Sequence, residues 1–239
     1  MPAGSTWLNR DKPRPFVLTT AYTPGRLATL VYGSSQETEM RHGAAFIAVE
    51  PVPAGLRRNR LRSTTYFYPG TLLPVRYPLL PPHAGFLGGA LDELRRMLRR
   101  ALGIGQGSCL APGADSNSRR GRVVILQPWM ERDLRTSLAV LLTESRYSAE
   151  ANYQIILPIY PAARSPLDGD DIRISLGEWL TVAPALEEGA LLPIPAVHSV
   201  WQAHAIARET EHVMDEESLA RIDRALCDYF SLPDPPPGG

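Results

Sequence analysis

Cysteine is scarce in this sequence, and long apolar runs are missing. Its 239 residues include two cysteines, Cys109 and Cys227, which are too few for a disulfide framework or a cysteine zinc site. No apolar stretch approaches the ~20 residues that a transmembrane helix needs, and residues 1–12 lack the apolar core of a secretory signal. These absences predict a cytoplasmic protein that makes no membrane contact.

Stock catalytic motifs are missing as well. The chain contains no GxxxxGK(S/T) phosphate loop, no GxGxxG turn, no HExxH zinc motif and no GxSxG nucleophile elbow. Its acidic run at 168–171 lacks the spacing of a calcium loop. Its five histidines are interpreted as ordinary surface or partly buried side chains. We therefore expect neither a metal nor a cofactor.

Charge of each sign is concentrated in one half of the chain. Residues 1–120 carry 16 basic and 7 acidic side chains, a net charge of +9, whereas residues 121–239 carry 9 and 18, a net charge of −9. Such a split suggests one half that attracts a polyanion and another that repels it. Two domains that simply differ in surface charge would give the same pattern.

The two halves repeat one order of predicted elements. The 23 prolines and 19 glycines favour many short elements and a β-rich fold over a helical bundle. Short apolar runs predict strands at 16–19, 27–32 and 44–49 in the first half, and at 123–126, 138–143, 153–159, 172–174 and 197–201 in the second. Irregular, proline-rich sequence then leads to one helix in each half. This order indicates an internal duplication of a bent antiparallel sheet with a helix.

Both helices carry start or stop signals. Leucines at 91, 94, 98 and 102 form one apolar stripe, and Gly103 supplies a left-handed stop. Asp215 is the predicted N-cap of the second helix, with Met214 and Leu219 placed as a hydrophobic staple. The predicted divisions are a basic domain at 1–106, a linker at 107–120, an acidic domain at 121–232 and a disordered tail at 233–239.

A cluster of arginines lies next to aromatic residues in the first half. Four arginines fall within six residues and precede Tyr66, Phe67 and Tyr68; they are Arg57, Arg58, Arg60 and Arg62. Arginine pairs with phosphates and aromatic rings stack on bases, so the segment is typical of single-stranded nucleic-acid binding. The alternative is a solvated loop beside a strand whose aromatic side chains belong to the core.

Two strand motifs resemble those of a known family. The first predicted strand opens with Lys12-Pro13-Arg14-Pro15, and the second ends in Gly33-Ser34-Ser35-Gln36. In these residues the chain resembles the MazF/PemK (Kid) family of toxin endoribonucleases, whose fold also serves the CcdB-like gyrase poisons. Residues 198–201 and 211–226 look like the family's C-terminal strand and helix. The resemblance implies a mainly β, α+β fold of two tandem small SH3-like β-barrels, each with a C-terminal helix, packed as a pseudo-dimer.

The resemblance also implies a function. The chain would be the toxin of a type II toxin–antitoxin system, a monomer that cleaves single-stranded RNA without a metal and so inhibits translation and growth. The family's catalytic arginine falls on Arg14, which would stabilise charge on the phosphate. Its catalytic threonine falls on Ser34, with Ser35 as the adjacent alternative. The expected partners are single-stranded RNA and a cognate antitoxin protein. The residues expected to bind RNA are Lys12, Arg57, Arg58, Arg60, Arg62 and Tyr66.

Two alternatives stay open at this point. In the second half the family's Arg-Pro becomes Ser137-Leu138, its threonine falls near Tyr160, and a later arginine is Ala207. The acidic half is therefore expected to be catalytically degenerate. One alternative is a non-catalytic binding protein that grips RNA or a protein partner, either a gyrase-type target or an antitoxin. The other is an unrelated two-domain structural protein.

Overall fold

The chain folds into mixed α+β structure that is mostly β, with a curled antiparallel sheet and a few helices. The computed structural model describes residues 5–9, 12–20, 27–35, 46–52, 61–76, 87–111, 118–143, 153–161, 171–174 and 190–233. Within these ranges, none of the helices combines the length and apolar character needed to cross a membrane. The expectation of a mainly β, α+β fold is thus confirmed at this coarse level.

The first half forms a five-stranded antiparallel sheet followed by a helix. Its strands are β1 (Ser5–Asn9), β2 (Lys12–Leu18), β3 (Leu27–Ser34), β4 (Ile47–Val49) and β5 (Thr65–Arg76), and the helix is α1 (Ala90–Ala101). The strand order across the sheet is β1-β2-β3-β5-β4. The predicted strands at 16–19, 27–32 and 44–49 overlap β2, β3 and β4, whereas β1 was not predicted. A strand in the region of β5 was expected only under the alternative in which the aromatic residues at 66–68 belong to the core.

The second half forms a seven-stranded sheet with four short or medium helical segments. Its strands are β6 (Arg122–Leu126), β7 (Leu138–Leu141), β8 (Tyr153–Pro161), β9 (Asp171–Ile174), β10 (Ala190–Pro193), β11 (His198–Trp201) and β12 (Ile206–Val213). The helical segments are α2 (Pro128–Leu134), a 3₁₀ turn (Ile194–Ala196), α3 (Gln202–Ala205) and α4 (Glu216–Phe230). The order is β12-β6-β7-β8-β10-β9, and β11 pairs with the start of β8.

The ends of α1 and α4 form as their sequences predict. Gly103 has φ of 61° and follows α1, where its N–H donates to the Arg100 carbonyl at 2.9 Å and the next N–H reaches Arg99 O at 3.2 Å. This is the paired hydrogen bonding of a glycine-terminated helix. At α4, the Asp215 carboxylate accepts the Ser218 N–H at 2.7 Å, which lowers the pKa of Asp215. The predicted stop and N-cap are therefore confirmed.

The two halves share one hydrophobic core. The buried residues of this core include Val17, Val31, Phe67 and Leu98 from the first half, and Val140, Ile155, Leu192, Ile222 and Phe230 from the second. The predicted staple residues Met214 and Leu219 belong to the same core. At its edge the Tyr229 hydroxyl of α4 lies 3.0 Å from Thr29 Oγ1 of β3. Since apolar burial is the main stabilising contribution to folding, the shared core contributes to the stability of both halves.

Arg120 ties the end of α1 to α4 from inside the segment expected to be a linker. Its side chain is 1% exposed. Nε donates to Leu102 O at 3.2 Å, Nη1 donates to Gly107 O at 2.9 Å, and Nη2 pairs with the Asp223 carboxylate. Arg120 is therefore bonded to the end of α1 in the first half and to α4 in the second. Of the expected tail, Pro233 lies within the described chain, and its carbonyl accepts from Arg99 Nη1 at 3.1 Å.

Candidate nucleic-acid interface

The register between β2 and β3 brings the two resemblance motifs together. Phe16 pairs with Tyr32, Val17 with Val31 and Leu18 with Leu30. A Cβ added to Gly33 would lie 3.0 Å from the Pro15 carbonyl oxygen, so the two backbones remain adjacent one residue further along. The paired residues of β2 and β3 end at Phe16 and Tyr32, and the same register extended by two residues would bring position 14 level with Ser34. The Arg14 backbone also pairs with Trp7 of β1, while the side chains of Lys12 and Arg14 lie outside the described part of the chain.

The two candidate serines differ in exposure. Ser34 is the last residue of β3, pairs with Tyr66 of β5 and is fully buried. Ser35 follows the strand and is exposed. The difference arises because Ser34 lies between β2 and β5, whereas Ser35 has left the sheet. Of the two hydroxyl groups, that of Ser35 is the one that a solvent-borne substrate can reach.

An aromatic cluster flanks this strand end. The Phe46 ring is 37% exposed and packs edge-on against Tyr66, with ring centroids 5.2 Å apart and planes at 89°. Tyr66 is half-buried, and Tyr68 is buried behind it. Arg62 is exposed just before β5, while Arg57, Arg58 and Arg60 lie outside the described residues. Phe46 was missed as a site residue, although it lies within the predicted strand at 44–49.

A bulge in β5 is closed by a serine from the second half. Val31 pairs with Leu72, but Gly33 pairs with Phe67, so residues 68–71 stand opposite the single residue Tyr32. Ser199 Oγ of β11 accepts the Leu72 N–H at 2.7 Å and donates to the Gly70 carbonyl. The bulge is therefore hydrogen-bonded to a residue of the other half. The sequence motif around 198–201 did not predict this contact.

A cavity of about 390 Å³ lies at this junction. Its walls are Phe16 and Tyr32 of the β2–β3 pair, residues 71–73 of β5, Tyr153 of β8 and Ser199 of β11. In β2 and β3 the alternate residues Val17 and Val31 belong to the shared core, so the cavity occupies the opposite face of the sheet. Its volume falls in the range of roughly 300–1,000 Å³ that small-molecule sites have.

The cavity wall is aromatic, aliphatic and hydroxylic. The Phe16 and Tyr32 rings meet edge to face, with centroids 5.6 Å apart. Burial raises the pKa of Tyr153, and the neighbouring Tyr32 adds to the rise. The Tyr153 hydroxyl therefore stays protonated at neutral pH and can donate a hydrogen bond. None of the described lining residues carries a charge, and sequence reasoning had singled out none of them as a ligand.

His198 lies beside Ser199 in β11 and is buried. Its Nδ1 lies 2.7 Å from the Ala196 carbonyl oxygen, which fits a neutral ring that donates from Nδ1. Burial lowers the pKa of His198, and the hydrogen bond to Ala196 opposes that change. His198 is therefore neutral at pH 7. In the described ranges, no three His, Cys, Asp or Glu side chains form a group that could hold a metal.

No protein-family model, curated protein or solved structure matches this chain. The resemblance to toxin endoribonucleases remains a prediction from the quoted residues. The site combines two adjacent strand ends, an exposed aromatic edge and an uncharged cavity.

Proposed function

We propose that this chain is a type II toxin that cleaves single-stranded RNA as a metal-independent endoribonuclease. The observation that supports the proposal is the antiparallel pairing of β2 with β3, which ends at Phe16 and Tyr32 with Pro15 and Gly33 still adjacent. Arg14 and the Ser34-Ser35 pair lie next to Pro15 and Gly33 in the sequence. The exposed edge of Phe46 and the exposed Arg62 flank the same end of β3. Stacking on aromatic rings and pairing of arginine with phosphate are the two contacts that single-stranded RNA needs.

We also propose that the halves are tandem SH3-like barrels in a pseudo-dimer. Each sheet has three neighbouring strands at its centre. They are β2-β3-β5 in the first sheet and β6-β7-β8 in the second. The shared core and the Ser199 contact join the two units. In this arrangement the basic half carries the RNA, and the acidic half completes the site without a catalytic set of its own.

The proposed reaction is an internal transesterification of RNA. The ribose 2′-hydroxyl loses its proton and its oxygen attacks the adjacent phosphorus. The P–O5′ bond breaks and the leaving 5′-oxygen takes up a proton, so a 2′,3′-cyclic phosphate and a 5′-hydroxyl are formed. The Arg14 guanidinium stabilises the charge that develops on the phosphate oxygens. The burial of Ser34 favours Ser35 as the hydroxyl that bonds the phosphate or the 2′-oxygen. The strand ends hold the nucleotide so that attack is in line with the leaving oxygen.

The experiment that tests this proposal is RNA cleavage by the full chain in EDTA. Wild type is expected to cut a long RNA and leave 5′-hydroxyl ends. Arg14→Ala should reduce cleavage by roughly 10²–10³-fold, because it removes a group that stabilises the transition state. Arg14→Lys keeps the charge and should retain part of the rate. Full activity of Arg14→Ala, or a requirement for added divalent metal, would overturn the proposal.

The burial of Ser34 favours a second candidate, a protein that binds RNA or a protein partner without cutting. The hydroxyl aligned with the family's catalytic threonine is fully buried, and an antitoxin or a gyrase-type target could then be the partner. An Arg14→Ala chain that still stops growth on expression would support this candidate. Growth arrest that disappears together with RNA cleavage would support the nuclease.

A further inference from the structure

We propose that the cavity between the halves binds one planar heteroaromatic ring, a single unstacked base of the RNA strand. The identity of the base as part of RNA rests on the proposed function, whereas the ring-binding property does not. The cavity is formed by both halves, with Phe16 and Tyr32 on one side and Tyr153 and Ser199 on the other. Neither half alone contains the complete wall.

The lining favours a neutral flat ring over a charged group. A phosphate or an ammonium that enters this open cavity gives up part of its hydration, and the described lining offers no opposite charge to compensate. A base instead presents a π-face that stacks on aromatic side chains whatever its identity. The partly exposed rings of Tyr32 and Tyr153 supply such surfaces, and the buried Phe16 packs edge to face against Tyr32.

Two hydroxyl groups of the cavity wall are hydrogen-bonded to the backbone of β5. Ser199 Oγ bonds the backbone of the bulge at Leu72 and Gly70, and Thr71 Oγ1 donates to the Tyr68 carbonyl at 2.6 Å. These two hydroxyls fix the shape of the wall. Tyr32 and Tyr153 contribute phenol groups to the wall, and a phenol can both donate and accept a hydrogen bond.

The cavity lies at the right spacing from the proposed cleavage site. Phe16 is two residues from position 14 along β2, and Tyr32 is three residues from Ser35, the hydroxyl assigned to the cleavage site. Two to three extended residues span about 7–10 Å. A nucleotide whose base fills the cavity can therefore place its phosphate at the strand ends. The bound base would hold the backbone splayed, as in-line attack requires.

The test uses the full chain and short single-stranded RNAs that contain one 2-aminopurine, whose fluorescence reports stacking. Tyr153→Ala removes a wall ring, and Leu73→Trp fills the cavity from a rim position that is 39% exposed. Both should weaken binding of the probe by roughly five- to 150-fold, the range for loss of one stacked base. Tyr153→Phe keeps the ring and should cause a smaller loss. Trp129→Ala removes an exposed ring outside the cavity and should bind as wild type.

Free adenosine and uridine form the second arm, because they carry a base but no phosphate. If free nucleoside displaces the probe from wild type but not from Leu73→Trp, the cavity binds a ring. This result supports ring binding even if wild type cuts no RNA. If the two variants lose probe binding but free nucleoside does not displace the probe from wild type, ring binding in the cavity is not the cause of the loss, and the inference is overturned. Wild-type affinity in both Tyr153→Ala and Leu73→Trp would overturn the inference, and cleavage of RNA by those variants would leave the proposed function intact.

Discussion

A buried charge at position 120 depends on partners from two distant parts of the chain. Two carbonyl oxygens and the Asp223 carboxylate surround the Arg120 guanidinium. A Cβ at Gly103 would lie 2.7 Å from Arg120 Cδ, so the glycine that ends α1 also leaves room for this side chain. Loss of the arginine would leave the Asp223 carboxylate, 13% exposed, without its ion-pair partner.

Arg120→Met should therefore lower the free energy of unfolding by roughly 3–5 kcal/mol, since one partner of a buried ion pair is removed. The matched control is Arg95→Met, which breaks the surface pair with Asp92, a side chain that is 74% exposed. That change should cost less than about 1 kcal/mol. Urea unfolding of both variants measures the difference, and equal losses would contradict this account of Arg120.

His198 should make stability depend on pH. Its pKa is lowered in the folded state from the ordinary value of 6.5, so the unfolded chain binds a proton at a higher pH than the folded chain does. Stability is therefore full above pH 6.5 and falls as pH drops toward the folded pKa, by at most about 1.4 kcal/mol per pH unit. Urea unfolding between pH 5 and 7.5 measures this slope.

His198→Gln removes the titrating group and should flatten that slope. His204→Gln, at an exposed position in α3, serves as the control and should leave the slope in place. A slope that survives in His198→Gln would show that another group causes it.

At the scale of elements, the contact between β2, β3 and β5 is close enough to require glycine at position 33. A Cβ there would lie 2.6 Å from Cε1 of the buried Phe67 ring. Gly33→Ala should lower the free energy of unfolding by roughly 1–3 kcal/mol through overpacking. Gly70→Ala is the control, because no atom lies within 4 Å of its added Cβ, and thermal unfolding should show little change. A neutral Gly33→Ala would contradict the close packing.

The elements that the sequence predicts are those whose signals are local. The leucine spacing of α1, the Asp215 cap of α4 and the apolar runs of β2 and β3 each depend on neighbouring residues. The full length of β5 was not predicted, because Pro69 and Pro74 interrupt its apolar pattern. Its bulge is also hydrogen-bonded to Ser199, which is 127 residues away from Leu72. Likewise, the burial of Ser34 depends on two flanking strands. Tertiary contacts of this kind have no local signal.

For the whole molecule, the shared core predicts that the two halves unfold together. Residues 1–106 alone would lose the core partners Val140, Ile155 and Ile222, together with the rest of the second half's contribution. The full chain should therefore show one cooperative transition in urea, coincident by tryptophan fluorescence and far-UV circular dichroism. Two resolved transitions, or a stably folded 1–106 fragment, would contradict the shared core.

In the proposed reaction, the 2′-hydroxyl of RNA is the nucleophile. The most direct measurement compares two strands that are identical except for one deoxyribose at the mapped cleavage position, each incubated with the full chain in EDTA. The proposed reaction predicts that the all-ribose strand is cut to a 2′,3′-cyclic phosphate and a 5′-hydroxyl. It also predicts that the substituted strand stays intact at that position. Cleavage of both strands there, or cleavage of neither, would contradict it.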